Sequence, residues 1–211
     1  MSGALQAVFQ NQRSFGLTIG AAFGGGFYAG QISTAGNGIA DYNLVVGPVA
    51  SAQDNSKQWK TTNTTTAGTT SVIDGPANST AMNNADHPAA QFCEGLTIGG
   101  FSDWYMPAKN ELEVCYYNLK PTTNSNSLSY GINANAVPAR ASNYTSGNPA
   151  QTSAGAFITS TGAEAFAGGS YWGSTELSAT QASEQYFLIG AQNTRNKSIS
   201  YNVRAVRRVA V

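Results

Sequence analysis

The most conspicuous shortage in this 211-residue chain is charge: only 10% of residues are Asp, Glu, Lys or Arg, against about a quarter in a typical globular domain. The eleven basic and eleven acidic side chains cancel. That removes the basic footprint a nucleic-acid ligand or an anionic membrane surface requires, so neither partner is expected. No run approaches the roughly 18 apolar residues of a membrane span. Met1–Phe15 carries Arg13 but has no basic n-region and no continuous apolar stretch, so it does not read as a secretory signal.

Histidine is nearly missing too. His87 stands alone, immediately before Pro88, and any Ser-His-Asp triad would have to use it. No nucleophile elbow, HExxH or cysteine-histidine cluster accompanies it. The acidic residues are scattered, the closest pair being Glu111 and Glu113 two positions apart in an expected helix. No glycosidase pair and no calcium site can be nominated from such spacing. The expectation is therefore no enzyme, no metal and no cofactor. Cys93 and Cys115 both fall in expected amphipathic helices and read as free core thiols, although two facing helices would also permit a disulfide.

What fills the sequence is Asn, Thr, Ser, Gly and Ala, which implies a surface solvated by amides and hydroxyls rather than by ions. Residues 2–16 differ in texture from the rest and read as an extended arm, with Leu5, Val8 and Phe9 needing a docking partner, or as an edge strand. The remainder, 17–211, reads as one domain. Gly24-Gly25-Gly26 is no phosphate loop, since no lysine follows at the required spacing and no helix opens after it. Phe27–Ile32 and Tyr42–Val46 read as two strands joined by a glycine-containing turn. Thr61–Thr70 reads as a solvated loop. Helical periodicity runs from about Pro88 to Leu96 and from about Pro107 to Leu119, the second with Leu112, Cys115, Tyr116 and Leu119 on one face. Two helices with one apolar stripe each call for a shared sheet. Thr122–Gly169 is a long polar excursion with sparse anchors. Tyr171–Thr175, Gln185–Ile189 and Asn202–Val209 read as strands, with Asn193–Lys197 at the tip of the last hairpin.

Three segments concentrate the aromatic and arginine residues: Gly99-Gly100-Phe101-Ser102-Asp103-Trp104-Tyr105-Met106-Pro107-Ala108-Lys109-Asn110-Glu111-Leu112, Tyr171-Trp172-Gly173-Ser174-Thr175-Glu176 and Val203-Arg204-Ala205-Val206-Arg207. In order and content they resemble the signature segments of the Lcl-type C-terminal domain of bacterial collagen-like adhesins, a likeness that extends over most of the chain. The resemblance implies an α+β, C-type-lectin-like domain: two helices packed on a small twisted antiparallel sheet, with long irregular loops displaying a binding face. Ala108 replaces the usual capping serine, which weakens that helix start. The calcium-ligating Glu-Pro-Asn, Gln-Pro-Asp and Trp-Asn-Asp patterns of sugar-binding C-type lectins are absent, so calcium-dependent sugar binding is not implied. The opening, Leu5–Gly16, resembles those of small bacteriophage structural proteins.

Together these readings give the expectation of a virion protein made in the host cytoplasm. It would be a tail fibre tip or surface adhesin that binds host surface glycan or protein, anchored to other virion proteins through residues 2–16 and assembled as a homo-oligomer, trimer favoured. A capsid or neck decoration protein with no receptor fits the same composition. Hydroxyls, amides and one aromatic suit recognition at Ser183, Glu184, Tyr186, Asn193, Thr194, Arg195, Asn196 and Lys197. Asp103, Trp104, Trp172, Arg204 and Arg207 are expected as framework.

Overall fold

The computed structural model describes residues 16–211. The arm expected over residues 1–16 therefore lies, apart from Gly16, outside the described residues. The chain is mixed α+β and mostly β, with two five-stranded sheets instead of the single small sheet expected. The first contains β1 (Ala22–Phe23), β2 (Gly26–Ile32), β3 (Tyr42–Val46) and β10 (Val206–Ala210) in that order, with β5 (Ala136–Val137) also paired to β2. The second runs β4 (Gln53–Gln58), β9 (Ser200–Arg204), β6 (Ser170–Glu176), β7 (Gln181–Tyr186) and β8 (Ala191–Asn196). All pairings are antiparallel except β6 with β9.

One run of chain makes two sheets possible. β9 and β10 are separated by Ala205 alone, and there the strand leaves one sheet for the other. Ala205 accepts from the Gly47 amide and donates to the Ala52 carbonyl, both at 2.9 Å, so the switch leaves no backbone group unpaired. The triple glycine is the β1–β2 turn: Gly24 and Gly25 take φ of 56° and 82°, the left-handed values a two-residue hairpin turn needs.

Among the described residues four α-helices join the sheets: α1 (Val49–Ala52), α2 (Gly75–Ala81), α3 (Pro88–Glu94) and α4 (Lys109–Leu119). The two expected helices are present with slightly shorter ends, whereas α1 and α2 have no counterpart in the sequence reading. Its start is set locally, by Pro76 in the first turn and by the Asp74 carboxylate accepting the Ala77 amide. α4 starts on Ala108 without a capping side chain, yet its amides are not left open. Glu111 accepts from Ala108 N at 2.8 Å, Thr175 Oγ1 from Lys109 N at 3.0 Å and the Val72 carbonyl from Asn110 N at 2.8 Å. Tertiary partners thus replace the local cap.

α4 is enclosed well beyond its apolar stripe, with seven of its eleven residues buried, Glu111 and Glu113 among them. Each buried carboxylate is answered. Glu111 accepts from Tyr105 Oη at 2.5 Å and Arg208 Nε at 2.9 Å; Glu113 takes Tyr144 Oη at 2.5 Å, Asn133 Nδ2 at 2.6 Å and the Arg140 guanidinium. Asn133, Arg140 and Tyr144 come from the 122–169 excursion, which is consequently a cover for α4. Asn126 pins that cover by donating to the carbonyls of Thr145, Ser146 and Pro149 and accepting from Tyr116 Oη.

Two cores result. One gathers α4, Ile32, Leu44, Phe157, Phe166, Tyr171 and Phe187; the other gathers Trp59, Trp104, Trp172, Met82, Ala89, Ala90 and Val203. Cys115 belongs to the first and Cys93 to the second, both free and buried, so the disulfide that facing helices would have permitted is not formed. Among the described residues no helix is long and apolar enough to cross a membrane.

Candidate functional site

The three segments rich in aromatic residues and arginine are bonded into one frame. Arg207 forks onto Asp103 at 2.7 and 2.9 Å and lies 3.8 Å above the Phe101 ring. Tyr105 exchanges backbone hydrogen bonds with Val206, Ser174 N donates to Pro107 O, and Trp59 Nε1 donates to Gly173 O. Arg204, fully buried, donates to Gly47 O and to both the carbonyl and the carboxylate of Glu164. Trp104 and Trp172 are buried, and Asp103 keeps a half-exposed carboxylate. These five residues connect the elements of the fold to one another.

The residues expected to form a contact surface do not share one environment. Asn193–Lys197 is not a hairpin tip: Ala191–Asn196 is strand β8, paired along its whole length with β7. Ser183 and Glu184 are buried at 3% and 2% exposure, which corrects their nomination. Glu184 accepts from Asn193 Nδ2 at 3.0 Å beneath the Arg195 side chain, 3.7 Å away. The polar run Gln181–Tyr186 reads as exposed in sequence, but β7 is a middle strand between β6 and β8, and α4 packs on it. Lys197 is buried completely and is corrected likewise. Thr194 and Arg195 remain exposed; Tyr186, Asn193 and Asn196 are half-buried.

Lys197 instead organises one end of the second sheet. Its ammonium donates to Glu176 Oε1 at 2.5 Å and Thr64 O at 3.0 Å, and stands 4.6 Å from the Trp59 ring centre. Glu176 also accepts from Thr66 N and, at 2.8 Å, from Thr69 Oγ1. Burial works against the Glu176 charge, but the bonds from Lys197, Thr69 and Thr66 outweigh it and hold the carboxyl below its ordinary value. Lys60 binds the same loop from the other side, through Thr64 O, Thr65 O and Thr66 Oγ1. His87 is engaged at both ring nitrogens, by Thr66 Oγ1 and Asn84 Oδ1, each at 2.8 Å. Burial, then the Lys60 charge, lowers its pKa to about 4.

Above this buried cluster three segments meet: Thr61–Thr65, the β6–β7 turn Leu177–Thr180 and the β8–β9 turn. Lys197 N donates to Thr180 O, and Gln58 Nε2 to Ser198 O. Thr61–Thr65, Leu177–Thr180 and Ile199 are exposed. The result is a hydroxyl-rich end with no exposed charge within these segments, resting on a bonded base. The composition points to such a loop at Thr61–Thr70, but its two buried residues, Thr66 and Thr69, are anchors and not solvated surface. No sequence signal links Glu176 to Lys197 or Lys60 to Thr64.

Two concavities lie beside Arg208. One cavity of about 600 Å³ is lined by Thr34, Tyr42, Ile73, Asp74, Pro76 and Arg208. A neighbouring one of about 260 Å³ shares Pro76 and Arg208 and adds Glu94 and Asp103. Arg208, the wall between them, already serves Glu111 and the Ile73 carbonyl, and burial lifts the Glu94 carboxyl above its ordinary value. No protein-family model matches the chain, and no curated protein matches it in sequence.

Proposed function

We propose that the chain is a non-catalytic display domain of a bacteriophage virion, a tail fibre tip or surface adhesin. Its fold is read as C-type-lectin-like and related to the Lcl-type adhesin domain. The observation that carries this reading is the division of labour between frame and loops. The signature residues Asp103, Trp104, Trp172, Arg204 and Arg207 are spent on holding the fold together, while the exposed hydroxyls and amides gather at one end on a fixed base. A pre-ordered polar surface loses little conformational entropy when it binds, which suits recognition of a glycan or a protein.

The interior titratable groups also favour binding over catalysis. Glu111, Glu113, Glu164 and Glu176 are each paired with arginine or lysine, and neither ring nitrogen of His87 is free to serve as a general base.

The test is adsorption of labelled chain to host cells. Replacing Thr62, Thr64, Thr194 and Arg195 together by alanine, all exposed positions, should abolish adsorption while leaving the fold intact. Adsorption unchanged by this variant would sink the assignment. Electron microscopy of labelled particles supplies the complementary outcome, a distal tail position for adhesion against a capsid-shell position for decoration.

A further inference from the structure

Arg208 lines both cavities, and its guanidinium is only partly engaged. Nε donates to Glu111 Oε1 at 2.9 Å and Nη2 to the Ile73 carbonyl, whereas Nη1 donates to no acceptor among the described residues. The nearest candidate, Asp74 Oδ1, stands 3.7 Å from Nη1, too far for a hydrogen bond. Nor is Nη1 sealed in the interior, for the side chain keeps 11% of its surface accessible and borders open space. A guanidinium carries five N–H donors. The fold uses two of its nitrogens and leaves the third.

The larger cavity, about 600 Å³, has the size of a small-molecule site and a mixed lining. Across the β3–β10 pair Tyr42 faces Ala210 and Leu44 faces Arg208, so Tyr42 and Arg208 share one side of the sheet, the ring centre 5.2 Å from the guanidinium. Ile73 and Pro76 make the lining apolar elsewhere. Asp74 gives it charge: half of the carboxylate is exposed, Oδ1 takes the Ala77 amide at 3.4 Å and Oδ2 takes no hydrogen bond among the described residues. Glu111 already offsets Arg208, so Asp74 leaves the cavity net negative. Asp41, tied to Thr34 by two bonds of 2.6 Å, adds to that sign. A bare anion is therefore repelled, and a bare cation leaves Arg208 Nη1 unanswered. An ammonium carried next to a carbonyl or carboxylate oxygen answers both.

We propose that this cavity binds the α-amino end of an amino acid or peptide, with the ammonium on Asp74, the adjoining carboxylate or carbonyl oxygen on Arg208 Nη1, and an apolar side chain against Ile73, Pro76 and the Tyr42 ring. The two recognition groups stand side by side without pairing to each other, and each is held from behind, Arg208 by Glu111 and Ile73, Asp74 by its amide on Ser71 Oγ at 2.8 Å. Groups fixed before the ligand arrives lose little freedom on binding, and a donor and acceptor of opposite charge make both hydrogen bonds charge-assisted. The site shares no residue with the hydroxyl-rich end, so it stands or falls independently of the display reading.

Amide-resolved NMR titration of the full chain tests it, with L-leucine, L-leucinamide and N-acetyl-L-leucine as probes. The first two should shift the Tyr42, Ile73 and Asp74 amides saturably, with a Kd on the order of millimolar. N-acetyl-leucine keeps the carboxylate and the side chain but loses the ammonium, and should bind more weakly by about tenfold or more. Asp74→Asn still caps α2 and should weaken leucine by a similar factor while its urea midpoint stays at the parent's. A tighter response to leucine than to leucinamide assigns free amino acids as the ligand; an equal or tighter response to leucinamide assigns a peptide terminus. The proposal is overturned if neither ammonium-bearing probe moves those amides, if N-acetyl-leucine binds as well as leucine, or if folded Asp74→Asn binds leucine as the parent does. The comparison of probes needs no variant, so it decides the matter even if Asp74→Asn does not fold.

Discussion

Arg207 holds both carboxylate oxygens of Asp103, at 2.7 and 2.9 Å, across 104 residues of sequence, and thereby fastens the last strand to the turn that leads into α4. The two partners are unequally exposed, 7% for the arginine side chain and 55% for the aspartate. The Arg207 hydrogen bonds outweigh the desolvation of Asp103 and hold its carboxyl below the ordinary value. Asp103→Ala should cost about 1–3 kcal/mol, chiefly because it leaves Arg207 buried with only Gly24 O and two aromatic faces for company. Urea unfolding measures it; a loss below about 0.5 kcal/mol, the usual range for surface positions, would mean that the fork is incidental.

The Glu176–Lys197 pair is buried on both sides, so removing one member strands the other. Lys197→Met and Glu176→Gln should each destabilise by about 3–5 kcal/mol. The double variant should recover part of that loss, since neither charge is then left alone. Hydrogen exchange supplies a local check: the Thr66 amide, bonded to Glu176, should lose its protection in Glu176→Gln before the β2 and β3 amides do.

Acid should weaken the chain in two stages of the same sign. His87 has its pKa lowered to about 4 by burial and by Lys60. The unfolded chain therefore takes up the proton first, and stability declines as pH falls from about 6.5. Glu176 is held below its ordinary value, so its contribution is present above about pH 4.3 and is lost as pH falls through the lower folded value. Urea midpoints at pH 7.5, 5 and 3.5 should fall in that order, and His87→Gln should flatten the upper stage only. Equal midpoints at pH 7.5 and 5 for both proteins would refute the histidine stage.

Both cysteines should be silent in the folded chain. Burial pushes the thiols of Cys93 and Cys115 up, and no disulfide joins them. A chromogenic thiol reagent at pH 8 should therefore label neither until denaturant is added, then both. Labelling in native buffer would mean that one of the cores opens locally.

Much of the architecture was legible because it rests on local chemistry. Pro88 and the spacing of Ala89 and Cys93 announce α3; the runs Phe27–Ile32 and Tyr42–Val46, divided by a glycine-containing turn, announce β2 and β3. β7 and β8 were not legible for a definite reason. Gln181–Tyr186 and Ala191–Asn196 are mostly polar, so neither shows the apolar alternation that marks a strand with one face in the core. The burial of Lys197 was hidden for the same reason. A lysine in an Asn-rich stretch reads as solvated, and only its meeting with Glu176, Trp59 and Thr64 makes it an anchor.

By itself the sequence determined that the chain has low charge, mixed α and β content and a surface of amides and hydroxyls, with tryptophans and arginines that need partners. Those properties follow from composition, helical and strand periodicity, and residues whose size or charge demands a partner. Only the tertiary structure decided that there are two sheets, that α4 buries two carboxylates, that the 122–169 excursion is its cover, and that the polar end stands on Lys60, Lys197 and Glu176. Each of these depends on a long-range pairing, and a lone lysine, glutamate or threonine has the same chemistry in sequence whether it faces water or another part of the chain.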